Sequence, residues 1–174
     1  MELWCEDEAR LGLKPVSRRV WALKGRRPTS CGRQRFESLY VYGFARPATG
    51  RNLCLLLPKA NAELMGEALA AFARWADPEG AKVLVVLVDT AGWHVARRLV
   101  VPPNVALHFP PPGTPELQPA EPLWPLVREA VANRSIGRLD RLRAILRSRL
   151  AYLARNPGTV QPIIGFRWTR CLER

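Results

Sequence analysis

The chain has 174 residues with 27 Lys+Arg against 15 Asp+Glu, a formal net charge of +12. That length suits one domain able to bury its own core, and an apolar share of 48% excludes a disordered polycation. No run of about 18 uncharged apolar residues exists to cross a membrane, and the acids ahead of Arg10 are unlike a signal or transit peptide. A chain this basic expects a polyanion, most often nucleic acid.

The charge is uneven. Residues 1–60 hold 12 bases and 5 acids (net +7), residues 61–127 hold 4 and 7 (net −3), and residues 128–174 hold 11 and 3 (net +8). Two basic flanks bracket an acidic middle, as a cation site beside a phosphate backbone would require. Cys5, Cys31, Cys54 and Cys171 lack zinc-ligand spacing, with only His94 and His108 to complete a site, so they read as reduced thiols.

In chain order, residues 2–5 read as a strand ending at Glu6-Asp7-Glu8, and residues 16–23 as a second strand before the turn Lys24-Gly25. Residues 26–35 are basic and rich in Pro, Ser and Gly, an exposed loop. Residues 39–45 and 52–57 form a hairpin about the turn Pro47-Ala48-Thr49-Gly50. Helical periodicity then sets in over residues 61–75, with Asn61 as N-cap. Residues 82–88 are a continuous apolar strand of the kind buried on both faces, ending at Asp89. A short helix over 91–99, a strand over 105–109, a proline-rich irregular stretch over 110–119 and a helix over 120–133 follow. Residues 139–153 make a basic helix with an apolar stripe. An antiparallel meander followed by alternating helices and strands implies an α/β fold, a mixed sheet covered by helices.

Asp7, Asp89 and Glu121 each lie at the end of an expected element, and ligands collect at strand ends in open α/β sheets. Carboxylates delivered by three rigid elements suit Mg²⁺, which takes oxygen ligands, and two such ions serve phosphodiester chemistry. Acids are also common at strand ends and in first helical turns, where they are solvated or favour the helix dipole.

Four stretches, in order, resemble one family. Cys5-Glu6-Asp7-Glu8-Ala9-Arg10-Leu11-Gly12-Leu13 is similar to the opening strand of bacterial mariner-type insertion-sequence transposases, the DDE superfamily endonucleases. Trp21-Ala22-Leu23-Lys24-Gly25-Arg26-Arg27-Pro28 resembles the family's Trp…Lys-Gly…Pro segment. Val88-Asp89-Thr90-Ala91-Gly92-Trp93-His94 resembles its second acidic motif, and residues 110–124, with Pro115-Glu116-Leu117-Gln118-Pro119-Ala120-Glu121-Pro122-Leu123-Trp124, resemble its third. Thr90, Thr114 and Gln118 stand where the family usually has Asn, Ser and Asn.

The resemblance implies a ribonuclease-H-like fold with a mixed five-stranded sheet, and a catalytic, metal-holding triad of Asp7, Asp89 and Glu121. It implies cleavage at transposon ends and strand transfer into target DNA with Mg²⁺ or Mn²⁺, two ions together. Glu6 and Glu8 rival Asp7 but share the opposite strand face, and the family pattern favours Asp7. Relatives carry N-terminal helix-turn-helix domains, so residues 1–174 are expected to be one catalytic domain with a basic helical segment from about 134. The family further implies a homodimer in the full transposase and a cytoplasmic, nucleoid-associated setting.

The expected DNA contacts are Arg26, Arg27, Arg33 and Arg35 in the first basic loop, His94, and Arg138, Arg141 and Arg149 along the basic helix. His94 also fits a role orienting a metal-bound water, or capping and packing. Trp124, one turn after Glu121, fits core packing or stacking on a flipped base. Two other readings stand beside the first: a truncated or inactive remnant that binds DNA or an intact transposase, and a host nuclease of the same fold.

Overall fold

The computed structural model describes residues 1–29 and 36–171. Strand β1 (Glu2–Gly12) runs for eleven residues, so the acids at 6–8 lie inside it and not beyond its end. Pairing explains the extra length. The antiparallel ladder to β2 (Ser38–Ala45) continues from Cys5↔Ala45 to Gly12↔Ser38. β3 (Asn52–Leu57) returns antiparallel to β2, as the hairpin pattern predicts. β4 (Leu84–Leu87) and β5 (Val105–His108) add in parallel on the other side, giving the order β3-β2-β1-β4-β5. β1 is thus the central strand.

Helix α1 (Ala62–Ala76) covers one face, and Asn61 caps it by accepting from the Leu64 N–H at 2.9 Å. Its Met65, Leu69 and Phe72 pack with Trp4, Phe44 and Val86. Phe72 stacks on Phe44 at 4.4 Å between ring centroids, and Trp4 meets Phe72 edge-on at 5.0 Å. On the opposite face α2 (Leu123–Arg128), α3 (Leu139–Arg155) and α4 (Pro157–Ile164) bury Leu123, Leu142, Leu146, Leu153 and Ile164 against Leu3, Cys5 and Val41. Each such large apolar side chain contributes about 1.5–3 kcal/mol when fully buried.

Two expected elements are absent and a third is shortened. Residues 16–23 form only a single bridge, Val16↔Ala132, and residues 17–29 are exposed, so no sheet edge receives a strand there. Residues 91–99 form turns. The Asp89 carboxylate accepts from the Ala91 N–H at 2.9 Å, an Asx turn that competes with helix. The helix expected over 120–133 shrinks to α2, because Pro122 delays its start and the chain tightens after Arg128 into three-residue turns. It stops at Asn133, whose φ is 55° and whose side chain brackets Arg18. Helix α4 goes beyond the expectation. It starts on Pro157, where a missing N–H costs nothing.

The β2–β3 turn packs against α4. Gly50 has φ 74°, and a Cβ there would stand 2.2 Å from the Pro157 carbonyl oxygen and 2.6 Å from the Gln161 nitrogen. Left-handed backbone and overpacking together predict a loss of about 2–5 kcal/mol for Gly50→Ala. Thermal melting should show a clearly lowered midpoint, and an unchanged midpoint would contradict this packing.

Candidate active site

Parallel pairing places the first two carboxylates. Cys5 pairs with Leu87, and Asp7 and Asp89 each lie two residues further along those neighbouring strands. The loop after β5 supplies the third. Asp7, Asp89, Thr90, Pro110 to Thr114, Gln118 and Glu121 line one cleft of about 220 Å³. The three expected carboxylates therefore come together, with no Lys or Arg among the lining residues. Glu121 sits in the turn before α2, its backbone carbonyl oxygen accepting from the Trp124 N–H at 3.1 Å, and it is exposed.

Asp7 is the most constrained of the three. Its strand partner is Gly43, and a Cβ on Gly43 would meet the Trp124 ring at 2.8 Å. The glycine thus makes room for the indole, whose Nε1–H donates to Asp7 Oδ2 at 2.6 Å. Trp124 is buried, so its packing role holds and it is not placed for base stacking. Burial lifts the Asp7 carboxyl to about 6, against the Trp124 and Glu8 N–H groups, which favour the charged form; the charges of Glu8 and Asp89 add to the rise.

Gln118 is buried, and its side-chain amide donates to the Glu6 carbonyl oxygen at 3.1 Å. The longer amide therefore ties the proline loop directly to β1 beside Asp7. Thr114 closes the same loop on itself, donating to the Pro111 carbonyl oxygen at 2.5 Å.

His94 is 2% exposed and lies away from the surface, where a phosphate contact would be made. Its Nδ1 stands 2.7 Å from Asp89 Oδ1, and its Nε2 stands 3.2 Å from Glu8 Oε1 and 3.4 Å from Glu6 Oε2. Burial alone would lower its pKa, but the carboxylates of Glu8 and Asp89 outweigh that and hold it above the ordinary value. Glu6 is raised well above its usual range by burial and by Glu8, Asp7 and Asp89. Trp93 donates to Glu8 Oε1 at 2.8 Å. Asp89 and His94 share one motif, but the links from His94 and Trp93 to β1 show in none, although the two-residue alternation of β1 foretells that Glu6 and Glu8 share a face.

Among the expected DNA contacts, Arg26, Arg27, Arg138 and Arg141 are exposed, and Arg138 pairs with Asp140 at 3.2 Å. Arg33 and Arg35 lie outside the described residues. Arg149 is half-buried, donating to the Leu126 carbonyl oxygen at 2.8 Å beneath Tyr152, so it braces α3 against α2. Cys5 and Cys54 are free thiols, as expected, and Cys31 lies outside the described residues.

The Trp124 bond can be tested by titration. Trp124→Phe keeps the ring but removes a hydrogen bond to a charged group, about 1.5–3 kcal/mol. At about 1.4 kcal/mol per unit, the Asp7 midpoint should rise by about 1–2 units in carboxyl NMR. The sign for stability follows. The folded value of about 6 exceeds the ordinary 3.8, so this group's stabilisation is complete at low pH. It is lost as pH rises from about 4 through about 6.

Residues 2–143 match the DDE superfamily endonuclease family. A curated relative, the uncharacterized protein y4pE/y4sA of Sinorhizobium fredii (strain NBRC 101917 / NGR234), is 42% identical over 90 residues. That match covers 52% of this chain and 65% of the relative, so it reaches just under two thirds of the relative's length. Among solved structures, the Mos1 strand transfer complex aligns with a TM-score of 0.63 at 17% identity, over 99% of this chain and 54% of that one. The Mos1 mariner paired end complex with Mn aligns at 0.62 and 16%, over 94% and 53%. The catalytic domain of Mos1 mariner transposase aligns at 0.57 and 14%, over 94% and 78%. These likenesses show a shared ribonuclease-H-like fold, and with its match over residues 2–143 the chain belongs to the DDE superfamily endonucleases.

Proposed function

We propose that the chain is a transposase catalytic domain, a metal-dependent DNA endonuclease and strand transferase. The observation that carries this reading is the gathering of Asp7, Asp89 and Glu121 in one cleft without a lysine or arginine. The family match and the fold neighbours, which include Mos1 paired-end and strand-transfer complexes, support it.

The donor set fits divalent metal. Three carboxylates offer hard oxygens of the kind Mg²⁺ and Mn²⁺ take, and the charges that act on the buried Asp7 carboxyl, Glu8 and Asp89, are both negative. Asp7, Asp89 and Glu121 would hold one or two Mg²⁺ or Mn²⁺ ions. When bound, such ions activate an attacking oxygen and stabilise the departing one. The chain's own residues do the positioning. Trp124 fixes one oxygen of Asp7, and His94 with the Ala91 N–H fixes Oδ1 of Asp89. Gln118 anchors the loop leading to Glu121, and Pro110 to Pro112 wall the cleft.

DNA is the proposed partner, at transposon ends and at the target. Arg26, Arg27, Arg138 and Arg141 supply phosphate contacts on a +12 chain, giving affinity that falls with salt. The full transposase would act as a homodimer.

Nicking of supercoiled plasmid in Mn²⁺ tests the reading. Asp89→Asn, folded by circular dichroism, should lower the rate by about 100-fold or more, since loss of groups that merely orient metal ligands already costs about 10–100-fold. Equal nicking by the two proteins would sink it. Salt-dependent DNA binding without any Mn²⁺ effect on melting would favour the non-catalytic remnant instead.

A further inference from the structure

The α1 face of β1 holds a second group of chemistry-bearing side chains that the open cleft does not use. Glu6, Glu8 and His94 each offer an atom to one point, these atoms all lying within 4.8 Å of one another. The group is enclosed: the Glu6 and His94 side chains are fully buried and that of Glu8 is 5% exposed. Both carboxylate oxygens of Glu6 are buried with no hydrogen-bond donor among the described residues. A buried carboxylate in that condition is costly, and the charges that act on it, Glu8, Asp7 and Asp89, are all negative.

With the Nε2 proton of His94 displaced, as metal binding requires, the group presents acceptors inward. With His94 Nδ1–H donating to Asp89, the Nε2 lone pair points at Glu8 Oε1 and Glu6 Oε2. Trp93 donates to Glu8 from the rim. A carboxylate on the far nitrogen of an imidazole, fixing its tautomer, is the arrangement seen behind metal-bound histidines. The spacings also fit. Ligands about 2.0–2.1 Å from a tetrahedral ion stand about 3.3–3.4 Å apart, and His94 Nε2 lies 3.2 Å and 3.4 Å from the two carboxylate oxygens.

We propose that Glu6, Glu8 and His94 form a second, buried divalent-cation site on the opposite face of β1 from the carboxylate cleft. One imidazole and two carboxylates suit a borderline ion such as Zn²⁺; Mg²⁺ prefers oxygen ligands and gives up its waters reluctantly. Two carboxylates and a neutral histidine also balance a divalent charge in a site from which water is largely excluded. Through His94 the ion holds Asp89, making the site a positioning element for the cleft.

The test uses Zn²⁺ alone on the whole chain carrying Asp7→Asn and Glu121→Gln, which removes two cleft carboxylates and leaves this group intact. The chain has two histidines, His94 and His108, so imidazole nitrogen NMR separates them. One equivalent of Zn²⁺ should shift the His94 Nε2 signal and leave His108, exposed at the end of β5, unchanged. Glu8→Gln should weaken Zn²⁺ binding read at His94 by about 100-fold, again judged from metal-site precedent. No shift at His94, or a shift insensitive to Glu8→Gln, overturns the site; a structure with a proton shared among the three groups gives that result. If Glu8→Gln fails to fold, Glu6→Gln replaces it, because it relieves an unpartnered buried charge while deleting a ligand oxygen. The readout involves no DNA, so its failure leaves the nicking experiment standing, and the reverse also holds.

Discussion

The two-residue alternation of the central strand is the constraint on which the rest depends. In β1 the odd residues Leu3, Cys5, Asp7 and Ala9 face α2, α3 and α4, while Glu2, Trp4, Glu6 and Glu8 face α1. A slip of one residue would exchange the carboxylates between faces and pull Trp124 away from Asp7. Gly43 guards against that. Directly opposite Asp7, it is the residue whose missing side chain admits the Trp124 ring. Buried apolar positions on both sides of the acids lock the same register, so the core and the site are specified together.

The handling of acids along β1 differs with position. Glu2, on the α1 face, is met by Arg46 and Lys82, each at 3.0 Å, and by the Trp4 indole at 3.1 Å. Its carboxyl is held below its usual value: burial pushes up, but the Lys82, Arg46 and Trp4 groups outweigh it. Glu6, four residues on and on the same face, has no such partner and is pushed up. Glu2 is thus neutralised by two cations of the chain, whereas Glu6, Glu8 and Asp89 are met by a single imidazole, that of His94. That asymmetry within one strand is hard to explain by packing, because a cation at Glu6 would relieve a buried charge.

Much of this was legible in the residues. The hairpin, α1, the buried β4 and the convergence of Asp7, Asp89 and Glu121 follow from pattern and family resemblance, because apolar periodicity and turn residues act locally. The failures have physical causes of their own. Residues 16–23 have strand composition, but a strand needs a partner and none is offered. Residues 91–99 have helix formers, but Asp89 captures the Ala91 N–H and His94 turns inward to the acids. The placement of His94 as a DNA contact failed for the same reason: its surroundings are set by β1, eighty-six residues away from it at Glu8. Arg149 likewise belongs to a helix of exposed arginines, and only the packing of α2 makes it a brace.

Asp89 is where the two faces meet. Its Oδ1 is engaged by His94 and by the Ala91 N–H, so that oxygen is fixed by the buried side of the sheet while the residue lines the open cleft. It follows β4 by two residues, beyond the last ladder pair, where backbone hydrogen bonding no longer holds it. Side-chain bonds must then supply the rigidity, and the one to His94 reaches into the buried α1 side of the sheet. Asp7 obtains the same rigidity from the other side, through Trp124 and the core beneath α2. The cleft is therefore held from both faces of one sheet. A carboxylate set delivered by three separate segments needs such bracing, because negative charges with no cation between them repel and would otherwise drift apart.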